Sequence, residues 1–408
     1  MTNSFRETST LRSRLRRRKM RLWKGLTLLA FTLAFLATGS AWAVDPIRIG
    51  VSIALSGRYA PMAKMYADGL RLWTKKQNAK GGILGRPVDL VVYDDEGEPG
   101  NAVKIYREML SSGRVDLVFG PYSSVVSKSV VPLLEEYHYP TLMPLATTES
   151  VWEANSRYIF GVNTPERRWT RAIFTVMVGC HVDTLVILVD KALMDLGSPL
   201  GARKWAGRFG MKILFLESVN RQDPAEQLRR ARDAGAHAIV VWGYFDDAVA
   251  VRRALAEIGW TPRLFFSQVA PALEKYGKVL GDLADYSLGC SIWEPDIGRH
   301  FPGGVEFLES FREEYKREPS YHAANGYAAG TILAEAISRA GSTDREKIRE
   351  VLSALDMITL IGRYGVDERG VQMRQRPVIV QWQNGRKMVV WPEPLSTAPL
   401  VFPPGSKP

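Results

Sequence analysis

Residues 47–143 contain, in order, IRIGVSI (47–53), MAKMYADGLRLWTKKQNA (62–79), VDLVVY (88–93), NAVKIYREML (101–110), LVFG (117–120), VVSKSVVPLLEEY (125–137) and TLM (141–143). Short apolar runs alternate with longer segments of helical period, the pattern of a parallel sheet covered by helices on both faces. A second series follows, with strands at 184–189, 211–217, 238–242 and 263–266 and helices near 200–209, 225–234 and 248–258. Two α/β units in tandem imply two lobes.

The last third changes character. Helices at 305–315, 323–340 and 344–355 follow one another on short connections, and the third opens on Thr343-Asp344-Arg345-Glu346, read as a capping box ahead of the buried face Ile348, Val351, Leu352 and Leu355. Asn384-Gly385 lies between strand candidates 377–381 and 387–391, a strong hairpin signal. The Pro-rich end, 392–408, is expected to be an extended or disordered tail.

With 408 residues and 46% apolar composition, the chain has room for about two domains and is neither disordered throughout nor a many-spanning membrane protein. Its net charge of +11 first suggests a nucleic-acid or membrane-surface partner, but nine Lys and Arg lie in residues 1–43 against Glu7 alone, leaving +3 for the rest. The basicity therefore belongs to a leader. That leader has a cationic stretch through Lys24, an apolar stretch at 26–36, and Ala41-Trp42-Ala43, the three parts of a signal peptide ending at residue 43. Residues 26–44 are uncharged over about the length of a bilayer span, so an uncleaved anchor is the alternative. Cys180 and Cys290 are expected to be buried and unpaired.

The sequence offers little for catalysis. Its five histidines show no ligand spacing, and neither a Walker loop nor Gly-x-Ser-x-Gly occurs, so no metal, cofactor or enzymatic activity is expected. Asp94-Asp95-Glu96 is read as a capping or solvated acidic loop rather than a cation site. The informative loops follow two neighbouring strands: Pro121-Tyr122-Ser123-Ser124 and Pro144-Leu145-Ala146-Thr147-Thr148. Each presents hydroxyls and free N–H groups; alone either reads as helix capping, but together they suit one carboxylate. In the second series Met194, Tyr244 and Gln268 occupy strand-end positions, while Trp242 and Phe265 are expected to cover the lobe core.

The motif Asn78-Ala79-Lys80-Gly81-Gly82-Ile83-Leu84-Gly85-Arg86-Pro87 is the most specific feature. With Ile49-Gly50, Ser56-Gly57, Val91-Val92-Tyr93-Asp94-Asp95 and Pro319-Ser320-Tyr321, it resembles the periplasmic leucine/isoleucine/valine-binding type of solute-binding protein that serves ABC importers. The resemblance covers nearly the whole chain after the leader. It implies the type I periplasmic binding protein fold: two doubly wound parallel-sheet lobes joined by three hinge crossings, near Asn163, Pro295 and Gly362. The N-terminal lobe would hold 44–163 and 296–362, the C-terminal lobe 164–295 and 363–391.

The resemblance also implies site roles. Ser124, the Leu145 backbone and Thr147 would hold a ligand carboxylate; Tyr244 and Gln268 would face its ammonium; Met194 stands where the family has an aromatic. Branched-chain binders carry a carboxylate at the Gln268 position, so the change favours solutes without an α-ammonium. Gly97 and Ser123 occupy the places of a disulfide found in some members. The expected protein is a periplasmic, non-enzymatic carrier of a small amino-acid-like carboxylate or amide, partnered by an ABC permease in the membrane and by no nucleic acid. A membrane-anchored ligand sensor of the same fold is the alternative. Ser124→Ala is expected to weaken ligand binding with little loss of fold stability.

Overall fold

The computed structural model describes residues 44–196 and 199–405; the leader, with Ala41-Trp42-Ala43, lies outside them. The first sheet is formed by β1 (Ile47–Ile53), β2 (Val88–Asp94), β3 (Leu117–Phe119), β4 (Thr141–Met143) and β5 (Ile159–Gly161). It is parallel throughout, in the order β2-β1-β3-β4-β5. Ile47, Ile49, Val51 and Ile53 are all fully buried, as a central parallel strand requires. Helices α1 (Ala60–Ala79), α2 (Pro99–Ser112) and α3 (Ser124–Glu136) make the crossovers. Within the 78–87 motif, the Asn78 side chain donates to the Val88 carbonyl at 2.8 Å and accepts from its N–H at 2.7 Å, so an amide continues the sheet pairing and fixes where β2 begins.

After β5 the chain enters a second layer with α4 (Glu166–Gly179), β6 (Thr184–Val189), α5 (Lys191–Asp195), α6 (Pro199–Arg208) and β7 (Lys212–Ser218). There follow α7 (Ala225–Asp233), β8 (Ala238–Trp242), α8 (Phe245–Glu257), β9 (Leu264–Ser267), α9 (Glu274–Leu280) and β10 (Ser287–Ser291). The chain then returns through α10 (Pro295–Gly298), α11 (Gly304–Tyr315), α12 (Tyr321–Ala340) and α13 (Arg345–Ala354). Helix α12 packs along α1 of the first lobe. Small residues permit this approach: a Cβ on Gly69 would lie 2.0 Å from the Ala323 carbonyl oxygen, and one on Gly326 2.6 Å from that of Tyr66.

The third passage runs through a short antiparallel pair, β11 (Met357–Thr359) and β12 (Gly362–Tyr364), to β13 (Val378–Gln383) and β14 (Arg386–Trp391). These last two complete a seven-stranded sheet, β14-β13-β10-β9-β8-β6-β7. The hairpin forms at Asn384-Gly385, both at positive φ (51° and 71°), as the tight turn demands. The second sheet takes β13 and β14 from beyond α12, the helix that packs along α1, so its strands are not contiguous in sequence.

Three sequence expectations change. The cap of α13 is Asp344, which accepts from the Lys347 N–H at 3.0 Å, rather than Thr343; Glu346 instead accepts from Tyr158 and Arg349. Over 392–405 the Pro-rich tail is docked: Gln381 donates to the Val401 carbonyl at 2.8 Å and accepts its N–H at 2.9 Å, while Leu400 and Phe402 pack on the core. Proline suits this strap because a strand-edge clamp needs few of its backbone donors. Periodicity alone did not mark β5, α4, β10, β11 or β12. Cys180 and Cys290 are free and buried.

Candidate functional site

Strands β3 and β4 end side by side, so their following loops converge on the space between the lobes. Ser124 opens α3, and its Oγ accepts from the backbone N–H groups of Thr147 (3.0 Å) and Thr148 (3.3 Å). The two loops are thus tied through one hydroxyl. The consequence corrects the expectation for Ser124→Ala. Removing an acceptor shared by two largely buried donors should cost about 1–3 kcal/mol of stability as well as any ligand contact. Urea denaturation checks this; an unchanged midpoint would restrict Ser124 to ligand contact.

Opposite these loops, Tyr244 and Gln268 follow β8 and β9 and complete a narrow cleft of about 30 Å³. Leu145 and Thr147 line it as well. Met194 does not: on α5 the residue turned to the cleft is its neighbour Leu193, and Met194 packs partly buried against the core. Trp242 is core, but it also donates to the buried Glu166 carboxylate, whose other oxygen accepts from Thr148 Oγ1 at 2.8 Å. Glu166 therefore bridges the two sheets' loops rather than facing solute.

The structure adds cleft residues that motif reading passed over: Asn163 at the first crossing, Trp169 on α4, and Tyr321 with His322 at the start of α12. Asn163 Oδ1, Trp169 Nε1 and His322 Nε2 are buried without a hydrogen-bond partner. Such groups carry a desolvation cost unless a ligand or water satisfies them. Burial pushes the His322 imidazole down to about 3, so it is neutral at physiological pH. Rings dominate the cleft: Tyr321 stacks on His322 at 4.0 Å between centroids, Tyr122 lies 5.5 Å from His322, and Trp169 meets Tyr321 edge-on. No Asp, Glu, Lys or Arg lines the cavity among the described residues.

The charges sit at its rim, across the lobe boundary. Arg58, in the loop after β1, pairs with Asp190 at 2.5 Å and Asp247 at 3.7 Å, both in the second lobe. Arg221 holds the same carboxylates at 3.0 and 2.7 Å. Burial opposes the charge on Arg58, but the hydrogen bond and charge of Asp190 and the charge of Asp247 outweigh it and hold the guanidinium above its ordinary value. The same Arg58 lies 5.0 Å from the Tyr59 ring and 5.3 Å from that of Tyr244. Tyr59 and Tyr244 meet edge to face at 4.6 Å. Arg58 is thus a latch between lobes. Arg58 is about one-third exposed, so Arg58→Ala should cost the closed form only about 1 kcal/mol. Small-angle scattering should show an enlarged radius for the variant; an identical radius would remove the latch role.

Elsewhere, Asp94 is spent on its own loop, accepting from Leu55 N–H (2.9 Å), Ser56 Oγ (2.9 Å) and Glu96 N–H (2.9 Å). Asp95 accepts from Ser52 Oγ at 2.5 Å and Gly97 N–H at 2.9 Å.

Two α/β lobes, the first built on a parallel sheet and the second on a sheet parallel from β10 to β7 with β13 and β14 antiparallel at its edge, meet at their strand ends in the manner of a cleft-type binding protein. The family model described as "Periplasmic binding protein" matches residues 46–387, and the chain belongs to that family. A Leu/Ile/Val-binding protein homolog 7 of Brucella suis biovar 1 (strain 1330) is 22% identical over 399 residues, covering 92% of this chain and 99% of the relative. Among solved structures, the branched-chain amino acid transporter substrate-binding protein LivJ of Streptococcus pneumoniae, in complex with isoleucine, matches with a TM-score of 0.76 at 19% identity, covering 88% of this chain and all of that one. A solute-binding protein of an ABC transporter from R. palustris, in complex with benzoate, matches with a TM-score of 0.74 at 19% identity, over 88% and 98% of the two chains. The type I periplasmic binding protein fold expected from the sequence is the fold observed.

Proposed function

We propose that this chain is the extracytoplasmic solute-binding component of an ABC importer, a non-enzymatic carrier that closes on a small carboxylate or amide lacking an α-ammonium. The observation that carries the reading is the uncharged, ring-lined cleft. Ser124 and Thr147 bring hydroxyls to one side, and Gln268 replaces a counter-charge on the other. A buried ammonium without a carboxylate is costly, whereas an amide group or carboxylate can be met by neutral donors and acceptors. The aromatic walls suit an apolar or aromatic body on the solute. Relatives are named for branched-chain amino acids, one structural neighbour holds isoleucine and another benzoate, so the fold accommodates both amino acids and an aromatic carboxylate.

The cleft as it stands is smaller than any such solute, so entry requires the lobes to part and capture returns them, the hinge motion of two-lobed binders. The leader fits export to the periplasm, where a permease would receive the solute.

The test is a thermal-shift panel of leucine, isoleucine and valine against their deaminated acids and benzoate. At a hundredfold excess over Kd, a true ligand adds about 2.7 kcal/mol of stability. Stabilisation by an acid and none by leucine is expected. The reverse result would overturn the ligand class while leaving the carrier role in place.

A further inference from the structure

Away from the cleft, α4, β12 and the segment that follows it border an open pocket of about 640 Å³ lined by Arg168, Arg171, Arg363, Arg374 and Arg376. Arg168 and Arg171 are three apart and share a helical face with Thr175, while Arg374 and Arg376 come from the irregular segment between β12 and β13, so two elements bring four guanidinium groups to one space. One carboxylate answers them. Asp356 accepts from two nitrogens of Arg363, both at 2.6 Å. Arg168 donates only to the Gln375 carbonyl, at 2.8 Å, and Arg171 lies 5.7 Å from the Trp205 ring.

Among the described residues, no carboxylate comes within ion-pair distance of Arg168, Arg171, Arg374 or Arg376. Burial, and then the charges of Arg167, Arg376 and Arg171, hold the Arg168 guanidinium below its ordinary value. Elsewhere exposed arginines pair routinely, as Arg312 does with Glu318 and Arg339 with Glu335. The local excess of four positive charges exceeds the +3 carried by everything after the leader. Such a concentration opposes folding unless a counter-charge relieves it.

We propose that this pocket binds a multiply charged oxyanion of the phosphate or pyrophosphate kind. Guanidinium forks entering from a helix and from the irregular segment between β12 and β13 give several paired N–H donors at different angles, which suits a tetrahedral oxyanion better than a single planar carboxylate. The volume lies within the range of small-molecule sites, and Pro377 and Trp391 line its apolar side. The cleft, uncharged and far narrower, is a different site with a different chemistry, so the anion site stands independently of the solute reading.

The anion has two sources, free in solution or displayed on a membrane surface, and both can be assayed. The probes are inorganic pyrophosphate by calorimetry in 150 mM sodium chloride, and sedimentation with vesicles containing phosphatidylglycerol. Three proteins are compared: the native chain, Arg171→Gln/Arg376→Gln, and the charge-matched control Arg229→Gln/Arg253→Gln. Among the described residues neither Arg171 nor Arg376 has an ion-pair partner to lose, so the fold should survive the exchange. Saturable pyrophosphate binding is expected, at least tenfold weaker in the pocket variant and unchanged in the control. Vesicle binding alone, lost in the pocket variant and kept in the control, supports the site and assigns the anion to a membrane surface. Binding to neither probe, or equal binding by all three proteins, overturns the proposal.

Discussion

Lys387→Met is expected to destabilise the protein by about 3–5 kcal/mol at neutral pH, the loss that follows when a buried ion pair is broken by removing one partner. The Lys387 ammonium, 7% exposed, lies 2.9 Å from Glu294, 3.2 Å from Glu274 and 2.8 Å from the Ala272 carbonyl. It extends from β14 beneath the second crossing, where Glu294 precedes α10. Burial alone would lower the lysine, but the charges of the two glutamates outweigh it and raise it. Burial also pushes the Glu294 carboxyl above its usual range, with Lys387 drawing it back. Without the ammonium, Glu294 is a buried carboxylate with no cation, and one of its oxygens already has no partner.

The loss should shrink as pH falls and Glu294 takes up a proton. The double variant Lys387→Met/Glu294→Gln should recover most of the stability, because an apolar and a neutral group are cheaper to bury than one unpaired charge. Denaturant midpoints of the three proteins decide it. A loss below about 1 kcal/mol in the single variant would mean that Glu294 reaches water and the pair is not buried in solution.

The second large effect is acid sensitivity centred on His322. Its ring is fully buried against Tyr321 and Tyr122, its Nδ1 lies 3.4 Å from Ser320 Oγ, and no charged side chain contributes to its shift. Burial lowers it from 6.5 to about 3. The unfolded chain therefore binds a proton below pH 6.5 that the folded chain refuses, so the stability attached to this group is full above 6.5 and falls as pH drops toward 3. At about 1.4 kcal/mol per unit, roughly 2–3 kcal/mol disappears between pH 6.5 and 4.5. His322→Gln should flatten that slope by the same amount. Buried carboxylates raised by burial, such as Asp95 and Asp247, act with the opposite sign in both proteins and cancel in the comparison. Parallel stability curves for native and variant chains would show that the ring is protonated in the folded protein.

Neither Lys387 nor His322 carries a mark of its role in the residues beside it, whereas helices and strands with a long repeat are legible because apolar spacing is a local property. Asp344 and Thr343 are adjacent residues of the capping type, and which of them caps α13 follows from where the helix starts. Met194 and Leu193 differ in the same way, since a five-residue helix rotates its neighbours by about 100° and no local signal fixes which one faces inward.

By itself, the sequence determined the alternation of buried strands and amphipathic helices, the turn at Asn384-Gly385, the 78–87 motif, and the hydroxyl-bearing loops after β3 and β4. All of these depend on neighbours within a few positions. Only the tertiary structure decided that Asn163, Trp169 and His322 share a cavity with Ser124, that Arg58 reaches Asp190 across 132 positions, and that Arg168 and Arg376 face one space. The reason is that three passages of chain between two sheets fold distant segments onto one another, and contacts made by long-range packing leave no periodic trace in the residues that make them.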